Sequence, residues 1–363
     1  MNTFMLWGLF GATAGAVIMA VVAVAVRFVV IDPNWFFLRM RGWLVLIGAV
    51  IGFVIGGTSQ TTQAQFTEAN VYLNRGDLGS ARSDYGSAIA DYTESIQINP
   101  QLGKAFYGRG LAEYMKGDSQ HAIADFDQAL QLDPDDMLAY FYRGLARQGE
   151  LRLGNNAALD NIINDFSEVL RLNPKLADAY QYRARALYLR GQYQWAANDF
   201  DQAIAINPTL PEIYHERADV RRTIGNNSGA IDDYKQAIQI KPKDINLRIF
   251  LGDVLRNTKD YIGAINQYNE VIKLTPKDAR LYAFRAEARF GRGDYAGAIA
   301  DFESAMQLDP QYADAYYGRG RVRSAQSNIN GAINDFRQTL WLRPNHPQSK
   351  AMIDYVIRAG VKK

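Results

Sequence analysis

The chain has 363 residues, no cysteine and an apolar content of 48%. It can bury a large core, but it forms no disulfide, thiolate metal site or cysteine nucleophile. The net charge is +2, and once Arg27, Arg39, Arg41 and Asp32 of residues 1–62 are set aside, 37 basic and 37 acidic residues remain, which excludes the one-sided basic excess of a nucleic-acid binder.

The first element is an apolar run. Phe4 to Val26 contains no charged residue and is long enough to cross a bilayer as a helix. The start, MNTFM, lacks the basic residues of a cleaved signal peptide. A second run, Trp43–Gly57, is short for a span, but Trp35, Phe36, Phe37, Arg39 and Arg41 before it suit the membrane interface. The reading is a transmembrane hairpin over residues 1–60, with helices near 4–31 and 35–57 and a tight loop at Asp32-Pro33; a re-entrant second segment is the alternative. Gly11 and Gly15, and Gly48, Gly52 and Gly56, recur every four residues and let helix backbones approach, within one hairpin or between copies. Arg27, Arg39 and Arg41 flank the loop and the N-terminal tail has no Lys or Arg, so the positive-inside rule places the loop in the cytoplasm and both ends on the periplasmic or lumenal side.

Beyond Gln60 the chain repeats itself. Prolines fall at 100, 134, 174, 208, 242, 276, 310 and 344, spaced by 34 residues with one spacing of 40. A 34-residue period denotes helix-turn-helix units. Eight units are expected, near 69–102, 103–136, 137–176, 177–210, 211–244, 245–278, 279–312 and 313–346. Each has a helix A with, in all but the sixth, an aromatic at position 4 and an arginine at position 7, followed by a small residue at position 8. Each helix B carries an aromatic at position 24, from Tyr92 and Phe126 to Phe302 and Phe336. The third unit holds six extra residues near 151–161, predicting a longer turn or a longer helix A. The first has a second candidate turn at Arg75-Gly76-Asp77, which also matches an integrin-binding tripeptide; the repeat accounts for it. Residues 347–363 read as a C-terminal capping helix and tail, as a repeat array requires.

Arginine at position 7 and aspartate at position 23 occur together in seven units: Arg75/Asp91, Arg109/Asp125, Arg143/Asp165, Arg183/Asp199, Arg217/Asp233, Arg285/Asp301 and Arg319/Asp335. The sixth has Leu251 and Gln267. Such covariation predicts an ion pair between helices A and B, with a guanidinium fork fixing the interhelical angle. A ladder of arginines binding anionic ligands is the competing reading.

These motifs resemble the tetratricopeptide-repeat (TPR) family, specifically its bacterial Arg-Gly subtype, over residues 69–346. The resemblance implies an all-α, right-handed solenoid whose concave groove is lined by positions 2, 5, 9 and 12 of helix A. It therefore nominates Tyr107, Leu111, Tyr114, Phe141, Gln181, Arg185, Tyr188, His215, Arg222 and Tyr317 for binding a partner, with Asp219, Asp253, Arg256 and Arg321 beside them. The two-carboxylate clamp of chaperone-binding relatives needs lysine at position 5. Here position 5 is Leu73, Tyr107, Phe141, Gln181, His215, Ile249, Ala283 or Tyr317.

No cofactor or metal is expected. His121, His215 and His346 lie at different repeat positions, and no P-loop, zinc spacing or nucleophile elbow occurs. The function read from the sequence is a membrane-anchored adaptor or assembly factor, bacterial and non-enzymatic, holding a membrane-associated protein or peptide. A membrane scaffold of self-associating, glycine-patterned hairpins is the alternative.

Overall fold

A computed structural model describes residues 63–149, 151 and 155–361. The expected hairpin, with Gly11, Gly15, Gly48, Gly52 and Gly56, lies outside them. Among the described residues there are helices and no strands, and no helix is long and apolar enough to cross a membrane.

The helices are α1 (63–81), α2 (Tyr85–Ile98), α3 (Gly103–Met115), α4 (Ser119–Leu132), α5 (Met137–Gly149), α6 (Asn156–Leu172), α7 (Ala177–Leu189), α8 (Tyr193–Ile206) and α9 (Pro211–Thr223). They continue as α10 (Asn227–Ile240), α11 (Ile245–Asn257), α12 (Tyr261–Leu274), α13 (Ala279–Arg292), α14 (Tyr295–Leu308), α15 (Ala313–Ala325), α16 (Ile329–Leu342) and α17 (Ser349–Val361). Odd numbers up to α15 are the A helices and even numbers the B helices. The chain divides into two compact units, one up to Ala112 and one from Glu113, so the boundary falls inside α3.

The sequence sets the ends of these helices. B helices start behind a side chain that accepts a hydrogen bond from the amide three residues on: Asp84 from Ser87, Asp118 from His121, Asn226 from Gly229 and Asp294 from Gly297. Several A helices close on a residue with positive φ. Gly117, Gly191, Gly225 and Gly293 fill that place in four units, with φ between 80° and 88°; Ser83, Lys259 and Ser327 fill it in three, with φ of 61°, 66° and 61°. Glycine suits this left-handed conformation and the other three tolerate it at a cost.

Two open alternatives are decided. The turn of the first unit lies at 82–84, and Arg75-Gly76-Asp77 is inside α1, so that tripeptide is helical. Gly76 is needed there because a Cβ would stand 2.7 Å from the Tyr92 ring. In the third unit helix A keeps 13 residues, whereas helix B has 17 against 14 in α4. The insertion therefore lengthens the turn and helix B, not helix A.

The core follows the repeat. Position 20 is a fully buried alanine in most units, and the position 24 aromatics are at most 2% exposed. In the first unit Tyr92 packs with Leu73, Ala88, Ala105 and Ala112. In the second, successive A and B helices share clusters, the largest joining Tyr234, Leu247, Leu251, Val254 and Tyr268. α17 closes this unit by setting Val356, Met352 and Ile353 against Ala332 and Phe336.

Candidate interaction face

The arginine at position 7 is bound on two sides. Arg183 donates from Nε and Nη2 to the two oxygens of Asp199 at 2.7 and 2.8 Å. Arg285 does the same to Asp301 at 2.9 and 2.7 Å, and Arg319 to Asp335 at 3.1 and 2.8 Å. Arg217 meets Asp233 in this way, Arg75 meets Asp91 through one oxygen, and Arg143 reaches Asp165 across the insertion. The carboxylates are well buried; Asp233 is 2% exposed. Burial pushes the Asp165 and Asp233 carboxyls up, against their arginine partners.

The Arg109–Asp125 pair expected from the sequence is not among these described bonds. Arg109 belongs to the first compact unit and Asp125 to the second, so this pair falls across the boundary inside α3. Asp125 is buried on α4, 6% exposed, like the other position 23 carboxylates. A carboxylate buried to that extent is held by hydrogen-bond donors or a counter-charge.

The other edge of the fork reaches back to helix B of the preceding unit, to a residue 16 before the arginine. Arg109 donates to Thr93, Arg143 to Asp127, Arg183 to Ser167, Arg217 to Asp201, Arg285 to Asn269 and Arg319 to Glu303. One guanidinium thus ties three helices. The aromatic at position 4 flanks it, as where the Arg75 carbon stands 4.9 Å from the Tyr72 ring centroid. In four units a second arginine, Arg147, Arg221, Arg289 or Arg323, adds to the same aspartate at 2.6–2.9 Å.

This backward acceptor sits at position 25, and sequence reasoning missed it although it was legible. Position 25 is an acceptor wherever the next unit has arginine at position 7. It is Lys235 before Leu251 and Arg337 before Ile353 of α17. A cation there would repel the guanidinium, so the residue that follows is aliphatic and buried or half-buried. A second rule links positions 9 and 24. The tyrosines Tyr92, Tyr234 and Tyr268 donate from their hydroxyls to Asp77, Asp219 and Asp253 at 2.7–2.8 Å, and the units with phenylalanine lack that aspartate. Burial pushes the Tyr92 phenol up to about 12.

The groove candidates are held in different ways. Tyr107 and Leu111 are half-buried on α3. Tyr114 and Phe141 belong to an aromatic stack: Tyr114 lies 6.0 Å from Tyr142, and Phe141 lies edge-on to Tyr142, Phe166 and Tyr182 at 5.6–5.8 Å between ring centroids. Gln181, Arg185 and Glu216 form a clasp between α7 and α9, with Gln181 8% exposed. His215 stacks on Phe250 at 5.0 Å and 14°, with its Nε2 3.4 Å from Asp219 Oδ2 but not hydrogen-bonded. Arg222 is exposed and pairs with Asp219 at 3.2 Å. Asp253 pairs with Arg256 at 3.3 Å, and Arg321 meets both oxygens of Glu287 at 2.9 Å. Tyr317 donates to Gln348 at 2.8 Å and lies 4.6 Å from the His346 ring. Most of these side chains join neighbouring units, and that spends much of their binding capacity.

One stretch remains open. A recess of about 260 Å³ between α7 and α9 is walled by Arg185, Tyr188, Leu189, Phe200 and Val220. Its lip is Leu189, 54% exposed; Met115, 48% exposed, occupies the same position 13 in the second unit. Apolar residues at position 13 were the available sequence signal. Among the described residues no group of His, Asp or Glu side chains is placed to hold a metal ion.

Models of the tetratricopeptide repeat match residues 66–137 and 107–150, 184–221 and 286–327, and 225–288, together more than half of the chain. No curated protein sequence matches it. Among solved structures, it is similar to a tetratricopeptide repeat protein from Parabacteroides merdae: 20% identity, 71% of this chain and 99% of that one covered, TM-score 0.48. It is also similar to the C-terminal part of a TPR repeat-containing protein from Cytophaga hutchinsonii: 17% identity, 77% and 98% covered, TM-score 0.47. A third is YrrB, described as a TPR protein with an unusual peptide-binding site: 19% identity, 52% and 96% covered, TM-score 0.44.

Proposed function

Because the chain belongs to the tetratricopeptide-repeat family, whose members generally mediate protein–protein interaction, we propose that it is a membrane-anchored adaptor that holds an extended segment of a partner protein along its A helices. The observation that carries this reading is the apolar recess between α7 and α9. It is lined by Tyr188 and by Leu189, which no other described unit covers, and it is bordered by the Arg185–Glu216 clasp. An apolar anchor residue enters the recess, and the clasp offers donors and acceptors to the segment's backbone. Tyr114 and Phe141 belong to the aromatic stack of the same compact unit.

The anchor is the hairpin read over residues 1–60. Its apolar runs, interface aromatics and three loop arginines support a bacterial inner or internal membrane, with the repeats on the periplasmic or lumenal side. Holding the groove in two dimensions raises the effective concentration of a membrane-associated partner without new contacts. The four-residue spacing of Gly11/Gly15 and of Gly48/Gly52/Gly56 supports a second reading, a scaffold in which hairpins of several copies associate.

In-membrane cross-linking of the tagged full chain, followed by identification of what is captured, tests the adaptor reading. A stoichiometric partner that is lost on Leu189→Asp and retained on the exposed control Gln307→Asp supports it. Recovery of self-cross-linked chain alone, unaffected by Leu189→Asp, contradicts it and favours the scaffold.

A further inference from the structure

The first described helix carries an apolar face that every other unit covers. Positions 3 and 10 of helix A are Ala105 and Ala112, Ala139 and Ala146, Ala179 and Ala186, Ile213 and Val220, and so on to Ala315 and Val322. All are at most 5% exposed. In α1 the same positions are Val71 and Leu78, larger than the alanines and 59% and 58% exposed. A terminal repeat that faced water would carry polar residues here.

A second, independent feature lies on the same helix. Arg75 grips Asp91, but no described residue serves the Nη1 edge that in six other units meets an acceptor 16 residues earlier. Its side chain is 61% exposed, against 12–23% for Arg143, Arg183, Arg217, Arg285 and Arg319. Leu78, Arg82, Asp84 and Ser87 border an open recess of about 490 Å³ next to Arg75. The face is therefore complementary to an apolar stripe with one hydrogen-bond acceptor beside it. The fifth unit shows such a neighbour in place: α8 packs Ala197 and Phe200 with Ile213 and Val220, and gives Asp201 to Arg217.

The chain's own standard connection does not bring such a helix here. Other units reach helix A through a short linker such as 99–102, whereas α1 runs on as helix through 63–68. We infer that the exposed face of α1 docks an amphipathic helix supplied by another protein. That helix sets small apolar residues on Val71 and Leu78 and an Asp, Asn, Ser or Thr on Arg75. This surface is separate from the recess between α7 and α9 and does not depend on it.

The probe is this chain's own α8 as a synthetic peptide, residues 191–208. It is held helical by a lactam between positions 194 and 198, both on its exposed side. Its fluorescence anisotropy is read against the full chain. Saturable one-to-one binding is expected, weakened at least tenfold by Val71→Asp or Leu78→Asp. Asp201→Ala in the peptide weakens binding to the wild-type chain at least fivefold and has no effect on Arg75→Met. Circular dichroism of each variant excludes unfolding. No saturable binding, or binding indifferent to Val71→Asp and to the Arg75–Asp201 cycle, overturns the proposal. A photo-cross-linker at Val71 in the membrane-held full chain names the natural occupant. A helix of another protein, bearing an acceptor and lost on Arg75→Met, supports the inference. A product of twice the chain mass, a link only to residues 1–62, or a lipid adduct overturns it.

Discussion

The fifth and seventh A helices, α9 and α13, are tied to both flanking B helices by a bridging guanidinium, whereas the sixth, α11, which stands between them, has an aliphatic side chain at that place. Arg217 bridges Asp201 and Asp233, and Arg285 bridges Asn269 and Asp301. Leu251 occupies the same place in α11, 2% exposed, within the largest apolar cluster of the second unit. Arg248 takes up Gln267 at 3.3 Å and the Pro242 carbonyl at 3.0 Å from one turn earlier. The difference teaches that the guanidinium is not obligatory for stacking. A buried ion pair and a packed apolar group are near equals in stability; a half-removed pair is not.

The largest expected effect therefore comes from breaking a tie on one side. Arg183→Met leaves Asp199 without the only guanidinium on it among the described residues and should cost about 3–5 kcal/mol in urea unfolding. Arg285→Met should cost less, roughly 2 kcal/mol, because Arg289 remains on Asp301 at 2.9 Å. Equal losses would mean that the second arginine contributes nothing. Next is Tyr268→Phe, which removes one hydroxyl donor from Asp253 while Arg256 stays; a loss of about 1 kcal/mol is expected. Lys259→Gly relieves a left-handed residue and should stabilise by about 0.5–1 kcal/mol, read as a raised midpoint.

The smallest effect concerns the cap. His346 is 9% exposed, bonds Ser349 Oγ at 2.8 Å and lies against Tyr317. Burial holds its pKa below the ordinary histidine value; Asp314, 3.9 Å away, opposes this and Arg343 adds to it. A depressed histidine pKa means the folded state binds fewer protons. Its stabilising contribution is full above about 6.5 and is lost as pH falls through the folded value. Hydrogen-exchange protection in α17, taken relative to the intrinsic rate at each pH, should fall as pH drops from 7 to 5, and His346→Gln should remove that dependence.

The repeats, the aromatic stripe and the arginine–aspartate pattern were legible in the sequence because a 34-residue period aligns eight copies of one unit within the chain. The position 25 acceptor was equally visible, since Lys235 and Arg337 mark its two exceptions, but its sense depends on knowing that helix B of one unit lies against helix A of the next. The groove was less legible. Position numbers nominate Phe141, Gln181 and His215, yet their neighbours Tyr182, Glu216 and Phe250 turn them inward. Which polar side chains pair across units depends on rotamers that a repeat pattern does not encode.

The most direct test rebuilds the missing tie. Leu251→Arg alone sets a guanidinium between Lys235 and Gln267 and should destabilise the second unit by about 3–5 kcal/mol. Adding Lys235→Asp and Gln267→Asp supplies both acceptors, 16 residues before and after, and should restore most of that loss in urea unfolding. If the triple variant is no more stable than Leu251→Arg, the two acceptors do not specify the arginine, and the three-helix tie is not what sets the stacking of these units.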